Sequence, residues 1–184
     1  MWSVLLSGAA LVGIFAFAFW LAHFAASNET FSEWVMRFGY SGIFLAALVS
    51  GFNFAAPIPS VAFLPLFLES GFNLWLSLVI MVLGVTIADS LAYFIGLSGR
   101  FFIFSADNSR ALIRLDALLA RWRFGPLVAL FFFAALVPFP NEVLLIPLGL
   151  LGYHFHTLLP ALILGNSVFH ILAAFGTIGL FNVL

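Results

Sequence analysis

Seven carboxyl and four imidazole side chains supply most of the acid–base chemistry available to this chain of 184 residues. Three of them stand inside or beside strongly apolar runs. Asp89 lies within Leu74–Ile95, His170 within Thr157–Leu180, and Glu142 directly follows Pro138-Phe139-Pro140-Asn141. A charged carboxyl at the centre of a bilayer helix costs about 2.5–3.5 kcal/mol on insertion scales, so Asp89 should face a cavity, a partner or water. On a helix, Thr86 and Tyr93 sit at i−3 and i+4 from it and extend a polar stripe. Asn166 stands one turn before His170. A carboxyl and an imidazole brought to a common level could relay protons near neutral pH. The competing reading makes each of them an interhelical hydrogen bond that only glues helices together.

Turn residues form the second set. Pro57-Ile58-Pro59-Ser60 and Pro138-Phe139-Pro140-Asn141 are two proline-bracketed turns, and the second adds Glu142. Ser60, Asn141 and Glu142 could orient a lipid headgroup or a coupling ion where half-helices meet. Turn polarity alone accounts for such residues equally well. Glu69, beside Ser70-Gly71, reads as a solvated loop residue. His154 and His156 flank Phe155 with no third ligand in reach, which suits an interfacial loop better than a zinc site.

Other chemistries lack their parts. The absence of cysteine removes disulfides, thiolate nucleophiles and cysteine metal sites. The chain also has no lysine, which leaves no basic tract for nucleic acid. No nucleophile elbow, phosphate-binding glycine loop or metalloprotease helix motif occurs. We therefore expect no cofactor, no metal and no catalysis; a lipid-modifying enzyme ranks last among the functional readings.

The elements that must position these residues are set by composition. Hydrophobic residues make up 65% of the chain and charged ones only 7%, against roughly 45–50% and about 25% in ordinary soluble domains. We expect an all-α, polytopic membrane domain over the whole chain. An N-terminal transmembrane helix occupies 1–25, longer than a cleavable signal core. A short loop ends in a capping pattern, Thr30 three residues before Glu33, and a helix starts near Trp34. The run is lost at Gly51-Phe52-Asn53 and followed by prolines 57, 59 and 65, which no uninterrupted helix accepts. Broken backbone inside lipid needs cover from protein or a wet cavity. Residues 34–96 thus read as a re-entrant hairpin followed by a spanning helix.

Five of the six arginines fall between Arg100 and Arg123. This concentration places the 97–123 connection on the cytoplasmic side, with an amphipathic interfacial helix over 109–122. Residues 124–181 repeat the first plan, with a proline-broken run through Pro147 and a last span. Trp20, Trp34, Trp75 and Trp122 fit interfacial anchors. The N-terminus is then inside and the C-terminus outside.

One subtraction aligns the halves. Pro57 with Pro138, Pro59 with Pro140, Gly71 with Gly152, Gly84 with Gly165 and Asp89 with His170 all differ by 81. Arg37-Phe38-Gly39 and Arg123-Phe124-Gly125 open the two units. A hairpin plus one crossing, repeated once, gives two units of opposite orientation, with a transport site at their interface.

These residues resemble a known family. Pro57-Ile58-Pro59-Ser60, Gly71-Phe72-Asn73-Leu74-Trp75 and the spaced set Gly84, Asp89, Tyr93 and Gly96 are similar to the first half of the DedA family, also called the VTT or SNARE-associated domain family. Arg123-Phe124-Gly125-Pro126, Val137 to Glu142 and Leu148 to Gly152 are similar to its second half. The resemblance spans about residues 37–181. It implies two opposed re-entrant hairpins and movement of lipids or lipid-linked carriers between leaflets, proton-coupled in some bacterial members. It also implies membrane lipids as partners, the bacterial inner membrane as location, and room for a homo-oligomer. The family's glutamate falls at Val61, and its arginines fall near Ala135 and Asn141. The alternative is a non-transporting membrane scaffold that keeps the fold without the charged residues.

Overall fold

A computed structural model describes residues 20, 28–52, 60–103, 124–137 and 139–181. The expected first helix, apart from helical Trp20, lies outside these residues. So do the arginine-rich connection from 104 to 123, Pro57, Pro59 and Pro138. All regular structure among the described residues is helical. It comprises α1 (Glu29–Gly51), a 3₁₀ turn (Ser60–Phe63), α2 (Leu64–Glu69), α3 (Leu74–Ile103), α4 (Gly125–Leu136), α5 (Glu142–Leu151) and α6 (Phe155–Phe181).

Helix α1 begins at Glu29, five residues before the expected start. Asn28, itself a favoured N-cap type, precedes it, and Thr30 falls inside the helix. Gly39 then breaks it with φ 55 and ψ −140, values open to glycine. Helix α3 runs eight residues past Ile95, carrying Ser98 and Arg100 with it. Two helices are long and apolar enough to cross a membrane: Leu74–Arg100, of 27 residues, and Phe155–Gly176, of 22. At 1.5 Å per residue these reach about 40 and 33 Å, beyond a hydrocarbon core of about 30 Å. Helices α4 and α5, of 12 and 10 residues, reach only about 18 and 15 Å.

The expected break at Pro147 does not occur. Helix α5 continues through it, and α6 through Pro160. Each proline is the sixth residue of its helix and deletes a single backbone bond, in the middle of α5 and near the start of α6. Helix α5 is also pressed against α3. A methyl at Gly149 would strike the Tyr93 carbonyl, and one at Gly96 would strike the Ile146 carbonyl. Backbones meeting at this range leave little room for a kink.

The core has two centres. The first joins Ile43 and Ala47 of α1, Val61, Leu64 and Phe67 of the short helical segment, Leu78 and Met81 of α3, and Ala174 of α6. The second joins Leu130 and Ala134 of α4, Leu145 and Leu148 of α5, Leu158 and Leu162 of α6, and Tyr93 of α3. Helix α3 therefore starts in the first centre and ends in the second, while α6 does the reverse. The two long helices run antiparallel between them.

Local geometry recurs at the expected spacing. Phe72 N–H donates to Phe67 O and Gly71 N–H to Leu68 O; 81 residues later, Tyr153 N–H donates to Leu148 O and Gly152 N–H to Gly149 O. Both are Schellman caps, with Gly71 and Gly152 at φ 86 and 79. Close approaches recur too. A Cβ on Gly84 would lie 2.8 Å from Ala47 Cβ and 2.9 Å from Phe44 O. One on Gly165 would lie 2.7 Å from Ala134 Cβ and 3.0 Å from Phe131 O.

Candidate functional site

The long helices cross where their polar residues fall. Helix α3 brings Thr86 and Asp89, α6 brings Asn166 and His170, and the start of α5 brings its N-cap Asn141 and its first residue Glu142. All six are buried. On α3 the large apolar side chains Leu76, Val79, Leu83, Ile87, Leu91 and Phe94 occupy the opposite, exposed face. Their three- and four-residue spacing is that of a single helix face.

Asp89 Oδ2 accepts from Asn141 Nδ2 and from Asn166 Nδ2, each at 2.9 Å. The second Asn141 hydrogen goes to Asn166 Oδ1 at 3.0 Å, and the second Asn166 hydrogen to Thr86 Oγ1 at 3.3 Å. Both amide groups thus spend every hydrogen inside the cluster. Asn141 stands at the N-cap of α5, yet its side chain caps nothing there and reaches across to Asp89 instead. Glu142, in the first turn of α5, is 1% exposed, and its carboxyl is an electrostatic neighbour of Asp89.

The expected Asp89–His170 pair is connected differently. His170 Nδ1 lies 2.8 Å from the backbone oxygen of Asn166. A carbonyl cannot donate, so Nδ1 carries the proton. Asn166 thereby joins both residues, its side chain to Asp89 and its carbonyl to His170. Tyr93 lies away from the cluster. Its hydroxyl donates to the Tyr153 carbonyl, and its ring packs 5.1 Å from that of Phe155.

Ser60 is 2% exposed, and its hydroxyl has no hydrogen-bond partner among the described residues; Ser77 on α3 is in the same condition. Pro140 ends the described part of the second turn, just before Asn141. The family positions at Val61 and Ala135 are 0% and 2% exposed, so apolar packing fills both. Two arginines belong to the described residues. Arg37 is exposed, and Arg100 donates to the Leu151 carbonyl at 2.9 Å, capping the C-terminal end of α5. Eleven residues of α3, about 16 Å, separate Arg100 from Asp89. The His154 and His156 rings lie 5.5 Å apart, and no group of three metal-ligating side chains forms among the described residues.

In the sequence Thr86 and Asn166 stand out only as helical neighbours of Asp89 and His170. The signal for a larger role is that Asn166 is the sole carboxamide in an apolar helix, on the buried side. The fold and site define an all-helical protein with two long apolar helices crossing at an enclosed polar cluster. Comparison with protein-family models, with characterised proteins and with solved structures finds no match.

Proposed function

We propose that the chain is a multi-pass membrane protein of the DedA type that binds a lipid headgroup at the Asp89–Asn141–Asn166 cluster and carries it between leaflets. The observation behind this is the inverted distribution of polarity. Asp89, Glu142, Asn166 and His170 are enclosed, while Leu, Ile, Val and Phe side chains cover the outside. Contiguous apolar surface on this scale marks a membrane or partner contact, and enclosed ionisable groups between spanning helices mark a pathway.

The inverted repeat is supported by the antiparallel course of α3 and α6 between matching core centres, by the duplicated caps and by the duplicated glycine approaches. Helices α4 and α5 fall short of a bilayer's thickness, as the halves of a re-entrant hairpin should. The bacterial inner membrane, with the arginine-rich connection inside, follows from the family resemblance and the positive-inside rule. The proposal is tested by leaflet exchange of a reporter lipid in proteoliposomes. Asp89→Asn, His170→Ala and Glu142→Gln should each abolish it; unchanged exchange in all three refutes the site.

A second reading draws on the closure of the amide network. Because Asn141 and Asn166 use all their amide hydrogens internally, the cluster can act as interhelical glue in a membrane scaffold without transport. Absence of exchange by the wild-type protein for any phospholipid or isoprenoid phosphate, with reproducible copurification of one partner, favours the scaffold.

A further inference from the structure

The register between the halves puts Ser60 where the other half has Asn141. Asn141 meets Asp89, and Leu145 and Leu148 beyond it share a core centre with Tyr93. Their counterparts Leu64 and Phe67 share the other centre with Ala174. The 3₁₀ turn carrying Ser60 packs on α6. There His170 and Ala174, one turn apart, are both 3% exposed. The register therefore predicts Ser60 on the His170 side of the site, as Asn141 stands on the Asp89 side.

The two sides differ in chemistry. Asparagine has an amide long enough to cross to its partner helix, whereas the serine side chain ends one bond sooner, at its hydroxyl oxygen. The Ser60 hydroxyl is left without a protein partner among the described residues. A buried hydroxyl in that condition calls for a ligand or water to satisfy it. Because Nδ1 of His170 is committed to the Asn166 carbonyl, the ring in its neutral form offers its lone pair at Nε2. The nearby acids Asp89 and Glu142 are acceptors when ionised, and Arg100 is occupied at the far end of α3.

We propose that Ser60 and His170 form the headgroup-selecting subsite, and that it takes a headgroup bearing an O–H or N–H donor in preference to choline, which has neither. This rests on the lipid-binding reading above. A glycerol hydroxyl or a primary ammonium donates to Nε2 of His170. The Ser60 hydroxyl then either accepts a second donor hydrogen or donates to a phosphodiester oxygen. Choline presents only methyl groups to these atoms: its phosphodiester can still accept from Ser60, but Nε2 of His170 and the Ser60 lone pairs gain no donor.

The test is lipid retention by the purified full-length chain, read by native mass spectrometry. The chain is offered an equimolar mixture of phosphatidylglycerol, phosphatidylethanolamine and phosphatidylcholine with identical acyl chains. The wild type should retain the first two about tenfold over the third, the scale of one to two hydrogen bonds. The ratio of glycerol to ethanolamine lipid tells hydroxyl from ammonium. Ser60→Asn supplies the amide that closes the other side and should erase the preference; Ser60→Ala should reduce it severalfold, and serves if the asparagine variant does not fold. Equal retention of all three lipids by the wild type, or an unchanged preference in these variants, overturns the subsite while leaving lipid binding in place. Retention of no lipid overturns both.

Discussion

Asn141 and Asp89 are joined by a 2.9 Å hydrogen bond between two halves of the chain, and the same amide reaches Asn166 on a third element. One side chain thus ties the start of a short helix to both long helices.

Removing that tie should be costly and non-additive. Asn141→Leu deletes two hydrogen bonds around a buried carboxyl, and we expect a loss of about 1–3 kcal/mol, measured as thermal unfolding in detergent. Asn166→Leu should cost a similar amount. The double variant should fall short of the sum by at least about 0.5 kcal/mol, since both act on Asp89 Oδ2. Simple additivity would show that the network is not a unit.

The contact of α3 with α5 should tolerate no added methyl. Gly96→Ala and Gly149→Ala each push a Cβ into a backbone carbonyl of the facing helix, and overpacking of this kind costs about 1–3 kcal/mol. Gly99→Ala is the control, because a Cβ there meets nothing within 4 Å. It should be neutral or gain up to about 1 kcal/mol in helix propensity. Equal effects at all three positions would contradict the packing.

Much of this arrangement was legible in order and spacing. The run from Leu74 is a long helix because nothing in it breaks the pattern, and the interval of 81 residues reappears in the caps at Gly71 and Gly152. The identity of the hub was not legible. Asn166 matters because α6 runs against α3 in opposite directions, a tertiary fact that no local pattern encodes. Tyr93 shows the same limit in reverse. Its position at i+4 from Asp89 suggested a shared stripe, but a tyrosine is long enough to reach the Tyr153 carbonyl beyond the cluster. Pro147 suggests a break, but it deletes a single backbone bond, and the close approach of α5 to α3 at Gly96 and Gly149 holds the backbone straight.

Ser77 gives a prediction of opposite sign. Its hydroxyl is buried without a hydrogen-bond partner among the described residues, a condition that costs about 1–3 kcal/mol. Ser77→Ala should leave stability unchanged or raise it, read by the same unfolding measurement. A loss of more than about 1 kcal/mol would reveal a bond that the hydroxyl makes beyond the described residues.

Opposite orientation of the halves can be read directly, because the chain has no cysteine of its own. Trp75 and His156 are equivalent positions 81 residues apart, each exposed in the first turn of a long helix. Trp75→Cys and His156→Cys should react with a membrane-impermeant maleimide from opposite faces of sealed vesicles. Labelling of both from one face would rule out the inverted repeat.

Tyr93 separates holding the fold from handling a ligand. Its hydroxyl fastens the α5–α6 connection through the Tyr153 carbonyl, and its ring belongs to the second core centre, so neither end of the side chain touches Asp89. Tyr93→Phe keeps the ring and removes one hydrogen bond, and stability should drop by about 0.5–1.5 kcal/mol. Lipid exchange in proteoliposomes should stay within about twofold of wild type, less than 0.5 kcal/mol on the barrier. Asp89→Asn should do the reverse, preserving the fold through a near-isosteric side chain while abolishing exchange. If Tyr93→Phe instead stops exchange at unchanged stability, the hydroxyl belongs to the transport site, and the boundary of the cluster must move one turn along α3.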